Sequence, residues 1–249
     1  MCTLVILRRP GHDWPLLLAA NRDEMRDRPS LPPGRHWGDR PEVTAGLDRS
    51  GGGSWLGMND YGLAAAVMNR EGTLGPLPGK RSRGELVLEA LDHSRAGDAA
   101  GTLADRRPAA YRPFNLVVAD SRDAYWLRHG GDGEIRVHPI PPGLHMLTAG
   151  ELDDLGNPRI RANLERFRAA ATPEPERDRW GEWVSLLGSR EYPAHAGPTA
   201  AMNLDLRSGF GTLSSSLIAL PLGPGPGTDR RWLHADGPPH QAPFRPVAT

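Results

Sequence analysis

Two apolar runs open the chain. Thr3–Arg8 is β-branched and leucine-rich, and Leu16–Asn21 follows after Arg9-Pro-Gly-His-Asp13. Proline and glycine between two such runs are turn chemistry, so the pair predicts a β-hairpin, with Thr3–Arg8 expected inside a sheet rather than at a loose terminus. Arg28–Arg40, rich in proline, glycine and arginine, predicts a surface loop. Ser54–Met58 and Leu63–Met68 predict a second hairpin, turned by Asn59-Asp60-Tyr61-Gly62. Ser82-Arg-Gly-Glu85 fits the capping-box pattern ahead of Leu86–Leu91 and predicts a helix start.

Further along, Phe114–Ala119, Ala124–Arg128 and Glu134–Pro139 predict strands, and Leu144–Thr148 a fourth. Asn157-Pro158 reads as an N-cap with proline at the first helical position, opening a helix to about Ala171. Trp180–Leu187 predicts a short helix, and Leu213–Leu220 and Arg231–Ala235 the last strands, divided by Gly223-Pro-Gly-Pro-Gly227. Beyond Gly237 a proline-rich, irregular tail is expected. No internal repeat or long linker interrupts the 249 residues, so 1–249 is expected to form one domain. Strand pairs, helices, strands, helices and strands in that order suit an α+β fold of antiparallel sheets with segregated helices.

Composition narrows the partners. Formal net charge is zero, with 30 basic and 30 acidic residues, which gives no electrostatic reason to expect a nucleic-acid partner or an anionic membrane. Only Lys80 among the basic residues is a lysine, a bias that codon usage explains. The longest apolar runs, Leu16–Ala20 and Leu63–Met68, fall well short of the roughly 20 residues of a spanning helix. Arg8 and Arg9 follow the first apolar run, the reverse of a secretory signal, so a cytoplasmic location is expected. A single cysteine excludes an internal disulfide and a multi-thiolate metal site. The nine histidines have no ligand spacing, so no metal site is expected, and Gly51-Gly52-Gly53 lacks the Lys-Ser or Lys-Thr of a phosphate loop and predicts a turn.

Candidate chemistry gathers at the start of the chain. Trimming of Met1 would leave Cys2 first, its thiol beside an α-amine of ordinary pKa near 7.7–8.0, a base matched to neutral pH. The same cysteine could equally be a small hydrophobe. In Ala20-Asn21-Arg22-Asp23-Glu24, strand alternation puts Asn21 and Asp23 on one face and Arg22 on the other. Asp23 could hold the amine, and Arg22 could lower the thiol pKa, or the segment could be a polar strand end. Asn69 closes the run from Gly62 and offers a carboxamide donor for an oxyanion, or for a turn.

Taken together, Met1-Cys2, Ala19–Glu24 with its Asn-Arg-Asp-Glu tetrad, Arg28-Pro29, Trp37-Gly38, Ala45–Asp48, Gly52–Gly57 and Gly62–Asn69 resemble the NRDE family, also called the transport and Golgi organization 2 family. Later echoes are Phe114-Asn115-Leu116, Gly143-Leu144-His145 and Gly211–Ser216. That resemblance implies a four-layer αββα sandwich of the N-terminal-nucleophile (Ntn) hydrolase type, as in penicillin V acylases and bile-salt hydrolases. It implies Cys2 as nucleophile, Asp23 as its orienting carboxylate, Asn69 as oxyanion donor, and Asn21 and Arg22 as neighbours of the site. Hydrolysis of a small amide by this route requires no cofactor. Two positions depart from the family pattern: Ala149 stands where an asparagine is usual, and Leu213 where an arginine is usual, with Asn157 or Arg207 as substitutes to consider. The family is also linked to haem mobilisation, which gives a second expectation of reversible haem carriage, with Cys2, His36 and His145 as axial-ligand candidates. No c-type attachment motif is present.

Overall fold

The computed structural model describes residues 2–223 and 229–248. The first hairpin is β1 (Thr3–Arg8) and β2 (Leu16–Met25), followed by β3 (Ser30–Gly34), β4 (Val43–Asp48), β5 (Leu56–Asn59) and β6 (Ala64–Asn69). Two helices come next, α1 (Gly84–Leu91) and α2 (Ala96–Ala104), then β7 (Phe114–Ala119), β8 (Ala124–His129), β9 (Ile135–Pro139) and β10 (Gly143–Leu147). After α3 (Pro158–Ala169) and α4 (Glu182–Leu187) the chain closes with β11 (Phe210–Leu220), β12 (Arg231–Ala235) and β13 (Arg245–Pro246).

The strands form two sheets. One has six strands in the order β10-β1-β2-β11-β12-β13; the other has seven, in sequence order from β3 to β9. Every paired neighbour is antiparallel. β1 lies between β10 and β2, inside its sheet as its apolar run predicts.

Alternation along each strand divides the apolar residues between three cores. In the six-stranded sheet, Leu4, Ile6, Leu16 and Leu18 face the other sheet, while Val5, Leu17 and Ala19 face α3 and α4. The second sheet does the same with Ala64, Ala66 and Val117 against Ala65, Leu116 and Val118, which meet α1 and α2. Both sheets are therefore covered on both faces, and the layers run α-β-β-α. The helices supply the matching stripes. Ile160, Leu164 and Phe167 of α3 follow helical spacing, and Phe167 meets Trp183 of α4 edge to face at 5.8 Å between ring centroids. Burying each such large side chain contributes about 1.5–3 kcal/mol.

Several local expectations change. The 28–40 stretch holds an edge strand, β3, where Pro32 and Pro33 are tolerated because an edge has no partner for the missing N–H on one side. β4, α2 and the short β13 were not predicted from their own sequences. The capping box does not form: α1 starts at Gly84 with no side-chain cap bond, and Ser82 Oγ accepts instead from the Gly84 N–H at 3.2 Å. The Asn157 cap does form, with Oδ1 accepting from the N–H groups of Arg159 at 3.0 Å and Ile160 at 3.3 Å, and α3 ends at Ala169. Of the predicted Gly223–Gly227 turn, residues 224–227 lie outside the described residues.

Candidate active site

Thr3 pairs with Asn21 across β1 and β2, so the preceding residue, Cys2, comes opposite Arg22. Alternation then sorts the end of the hairpin into two faces. Thr3, Asn21 and Asp23 look toward α3 and α4, whereas Cys2 and Arg22 look toward the seven-stranded sheet.

The helix-side face is closed. Asp23 is 2% exposed; its Oδ1 accepts from Thr212 Oγ1 at 2.6 Å and its Oδ2 from Arg159 Nη1 at 2.6 Å. Arg159, only 1% exposed, also donates to Thr3 Oγ1 at 2.6 Å, so one guanidinium ties both strands of the hairpin to the first turn of α3. Asn21 donates to the carbonyls of Leu187 at 3.0 Å and Met202 at 2.9 Å and accepts from Ser215 Oγ. Both N–H groups of that carboxamide are occupied. The carboxamide thus anchors β2 to the end of α4, while the residue also lines the small pocket behind Cys2.

The other face carries a thiol and a cation. Cys2 is half-buried, with Sγ 3.8 Å from the carbonyl oxygen of Asp23. Burial pushes the thiol pKa up. The negative charge of Asp23 adds to this, while the charge of the amino terminus, the contact with the Asp23 peptide and the Arg22 guanidinium oppose it. Arg22 is 5% exposed, donates to Ser30 Oγ at 3.0 Å, and lies 4.2 Å from the centroid of the Trp55 ring, a cation–π contact. Among the described residues Arg22 has no carboxylate partner.

Two glycines make this stack. A Cβ on Gly46 of β4 would meet the Trp55 ring at 2.3 Å, so glycine there lets the indole lie on the sheet beneath Arg22. A Cβ on Gly53 would meet the Gly84 carbonyl carbon at 2.3 Å; glycine lets the chain before Trp55 run against the start of α1, where the Ser54 N–H donates to the Gly84 carbonyl at 3.0 Å. The run Gly51-Gly52-Gly53 is thus a turn and a close approach.

Cys2, Arg22, Trp55, Val67 and Asn69 form the floor of an open cleft of about 380 Å³, walled by the 48–54 and 75–84 segments and Arg112. Asn69, at the end of β6, is half-buried, and its carboxamide has no hydrogen-bond partner among the described residues. Behind Cys2 a second pocket of only about 20 Å³ is lined by Ala20, Leu56, Ala66, Met68 and Ser214–Ser216. It has room for one water and not for a substrate group, so a ligand reaching Cys2 comes from the cleft.

The two departures now have surroundings. Ala149 is 3% exposed and its carbonyl accepts the Glu71 N–H at 3.2 Å, so no side-chain donor stands there. Leu213 sits in a β-bulge, where the register between β11 and β2 shifts from Thr212–Asp23 to Ser214–Arg22. The cation on the thiol's face is Arg22. Neither suggested substitute serves: Asn157 is occupied as the α3 cap, and Arg207 is exposed and does not line the cleft. Arg159 is the residue that sequence reasoning missed. A cation in the first turn of a helix opposes the helix dipole, and that misplaced charge was the available signal.

Of the three haem axial-ligand candidates, Cys2 lines the cleft and the two histidines do not. His36 Nε2 lies 2.9 Å from the Pro32 carbonyl and His145 Nδ1 2.6 Å from Asp153 Oδ2, both away from the cleft, whose lining contains no histidine among the described residues. Among the described residues no cluster of three or more histidine, cysteine or acidic side chains could hold a metal, and no helix is long and apolar enough to cross a membrane.

Two antiparallel sheets between two helical layers have the Ntn-hydrolase-type fold. Solved structures share it. A Caenorhabditis elegans N-acylethanolamine-hydrolyzing acid amidase ortholog superposes with a TM-score of 0.57 at 12% identity, covering 99% of this chain and 100% of that one. A variant of the conjugated bile acid hydrolase from Clostridium perfringens gives 0.52 at 12% identity, covering 100% and 97%. At such identities the likeness is one of fold. The sequence profile described as Transport and Golgi organisation 2 matches residues 1–218, and the chain belongs to that family. The Transport and Golgi organization 2 homologs of Mus musculus and Homo sapiens are each 33% identical over 153 residues, 55% of this chain. The matched region spans about half of those curated relatives, 51% of each.

Proposed function

We propose that the protein is a cysteine-type amidase acting on a small N-acyl compound, with Cys2 as nucleophile. The observation that supports this most directly is the pairing on one face of a lone thiol and a buried guanidinium, opening on a cleft that also holds the uncommitted Asn69. The reading requires removal of Met1. The freed α-amine of Cys2 then takes the thiol proton, and sulfur attacks the amide carbon. The carbonyl electron pair moves to oxygen, where the Asn69 N–H groups are the available side-chain donors. Collapse breaks the C–N bond, and the departing nitrogen takes the proton back from the ammonium. Water, deprotonated by the same amine, cleaves the thioester to a carboxylic acid and restores the thiol. Arg22 stabilises the thiolate against the burial that raises its pKa. Asp23, held by Arg159 and Thr212, fixes the strand end against which the amine lies.

The test is release of free amine from a panel of N-acyl compounds by the protein with Met1 removed, beside Cys2→Ser. Release that falls by about three orders of magnitude in Cys2→Ser supports the reading. Equal release by both proteins, or none from any compound, rejects it.

A further inference from the structure

The cleft that reaches Cys2 is charged unevenly. Six cations line it: Arg22, Arg28, Lys80, Arg81, Arg83 and Arg112. Arg28 is paired with Asp48 at 2.6 Å and lies 3.8 Å from Glu24, and Arg81 is paired with Glu85 at 2.7 Å. The lining carboxylate of Asp23 is turned to Arg159 on the opposite face. That leaves Arg22, Lys80, Arg83 and Arg112, none of which has a carboxylate within ion-pair distance among the described residues. Arg83 donates to Thr73 Oγ1 at 2.9 Å and the Pro113 carbonyl at 3.0 Å; Arg112 donates to the carbonyls of Leu74 at 2.8 Å and Gly75 at 3.0 Å. Neutral oxygens hold these guanidiniums in place without cancelling their charge. Burial, and then the like charge of Arg112, pull the Arg83 pKa down to about 10. A cleft that keeps its cations uncompensated in this way concentrates anions.

We infer that the cleft recognises an anionic oxygen group, carboxylate or phosphate, on the molecule presented to Cys2, with Arg83 and Arg112 as its principal receptors and Arg22 nearest the thiol. This deepens the amidase reading and rests on it for the statement that the anion belongs to a substrate: a small amide carrying a carboxylate or phosphate. Protein oxygens take both N–H groups of each Nη1 and one of each Nη2. The anion would therefore be met by the Nε–H and the remaining Nη2–H of Arg83 and Arg112, an edge that suits both groups because each accepts two parallel N–H bonds.

Because Cys2 is the only thiol, alkylation reads the cleft without a known ligand. Iodoacetate and iodoacetamide differ in charge at the same reacting carbon. The ratio of their rates at Cys2, relative to that for free cysteine, should be raised about tenfold at low salt and fall toward one near 1 M salt. Iodoacetate, not iodoacetamide, should saturate with concentration, and Arg83→Gln and Arg112→Gln should each lower the ratio about threefold. Protection of Cys2 by acetate against protection by inorganic phosphate then tells which oxyanion the site prefers. A ratio equal to that of free cysteine, unmoved by salt, overturns the inference even if amide hydrolysis is found. A raised ratio without hydrolysis keeps the anion site and rejects the amidase. Should the folded thiol resist both reagents, or the variants fail to fold, ligand NMR on the wild-type protein decides: N-acetylglycine must bind and its uncharged methyl amide must not.

Discussion

The last turn of one strand carries two unlike sites back to back. On the helix-side face of β2, Asn21 and Asp23 are sealed, with their polar groups bonded to Leu187, Met202, Ser215, Thr212 and Arg159. On the opposite face, Arg22 and the neighbouring Cys2 line an open cleft, where Arg22 meets the Trp55 ring and the Ser30 hydroxyl and, among the described residues, has no carboxylate within ion-pair distance. Four consecutive residues, Asn21 to Glu24, thus split their duties by strand parity. Asn21 and Asp23 fix the hairpin, and Arg22 between them faces the cleft. A thiol can be held to a fraction of an ångström only if its strand cannot fray, and the sealed face provides that.

The sharpest way to break the contrast is to open the sealed face. Asp23→Ala leaves the Arg159 guanidinium buried without its carboxylate and should cost about 3–5 kcal/mol in denaturant unfolding. Asn21→Ala should cost about 1–3 kcal/mol, because two buried carbonyls lose their donors. Acid should act on the space between the sheets through His234, which burial holds down at about 4 against an ordinary 6.5. Its folded pKa is depressed, so the unfolded chain binds the proton first; stability should fall as pH drops from about 6.5 to about 4 and be level above that window. His234→Asn should flatten the decline in urea midpoints. Arg22→Gln should cost less, about 0.5–2 kcal/mol for the contact with Trp55, yet slow Cys2 alkylation by iodoacetamide several-fold. Cys2→Ser should change stability by no more than about 0.5 kcal/mol while abolishing labelling. If Arg22 and Cys2 variants unfold the protein as readily as Asp23→Ala does, the two faces are not different in kind.

Much of this contrast was legible before the fold. The parity of Asn21, Arg22 and Asp23 follows from a strand period of two, and the runs Thr3–Arg8 and Leu16–Asn21 announced the hairpin. What stayed hidden depends on distance. Arg159 is 136 residues from Asp23, and only its odd place in a helix first turn marked it. β3 was concealed by Pro32 and Pro33, which read as a loop until an edge position explains them. The cleft arginines could not be singled out because nearly every basic residue is an arginine; their lack of carboxylates becomes visible only when Arg83 and Arg112 meet the 72–76 segment in space. The bonds of Asn21 were hidden for a related reason. Its residue type suits an active site, and only its bonds to Leu187 and Met202 show that it is already occupied.

Whether the open face bears an activated nucleophile can be read from the intact mass of the natively produced protein before and after brief exposure to an activated N-acyl compound. An activated Cys2 should give a mass lacking Met1, then a single added acyl group that is lost on standing in water and never appears in Cys2→Ser. Retention of Met1, or a folded protein whose mass does not change, contradicts it.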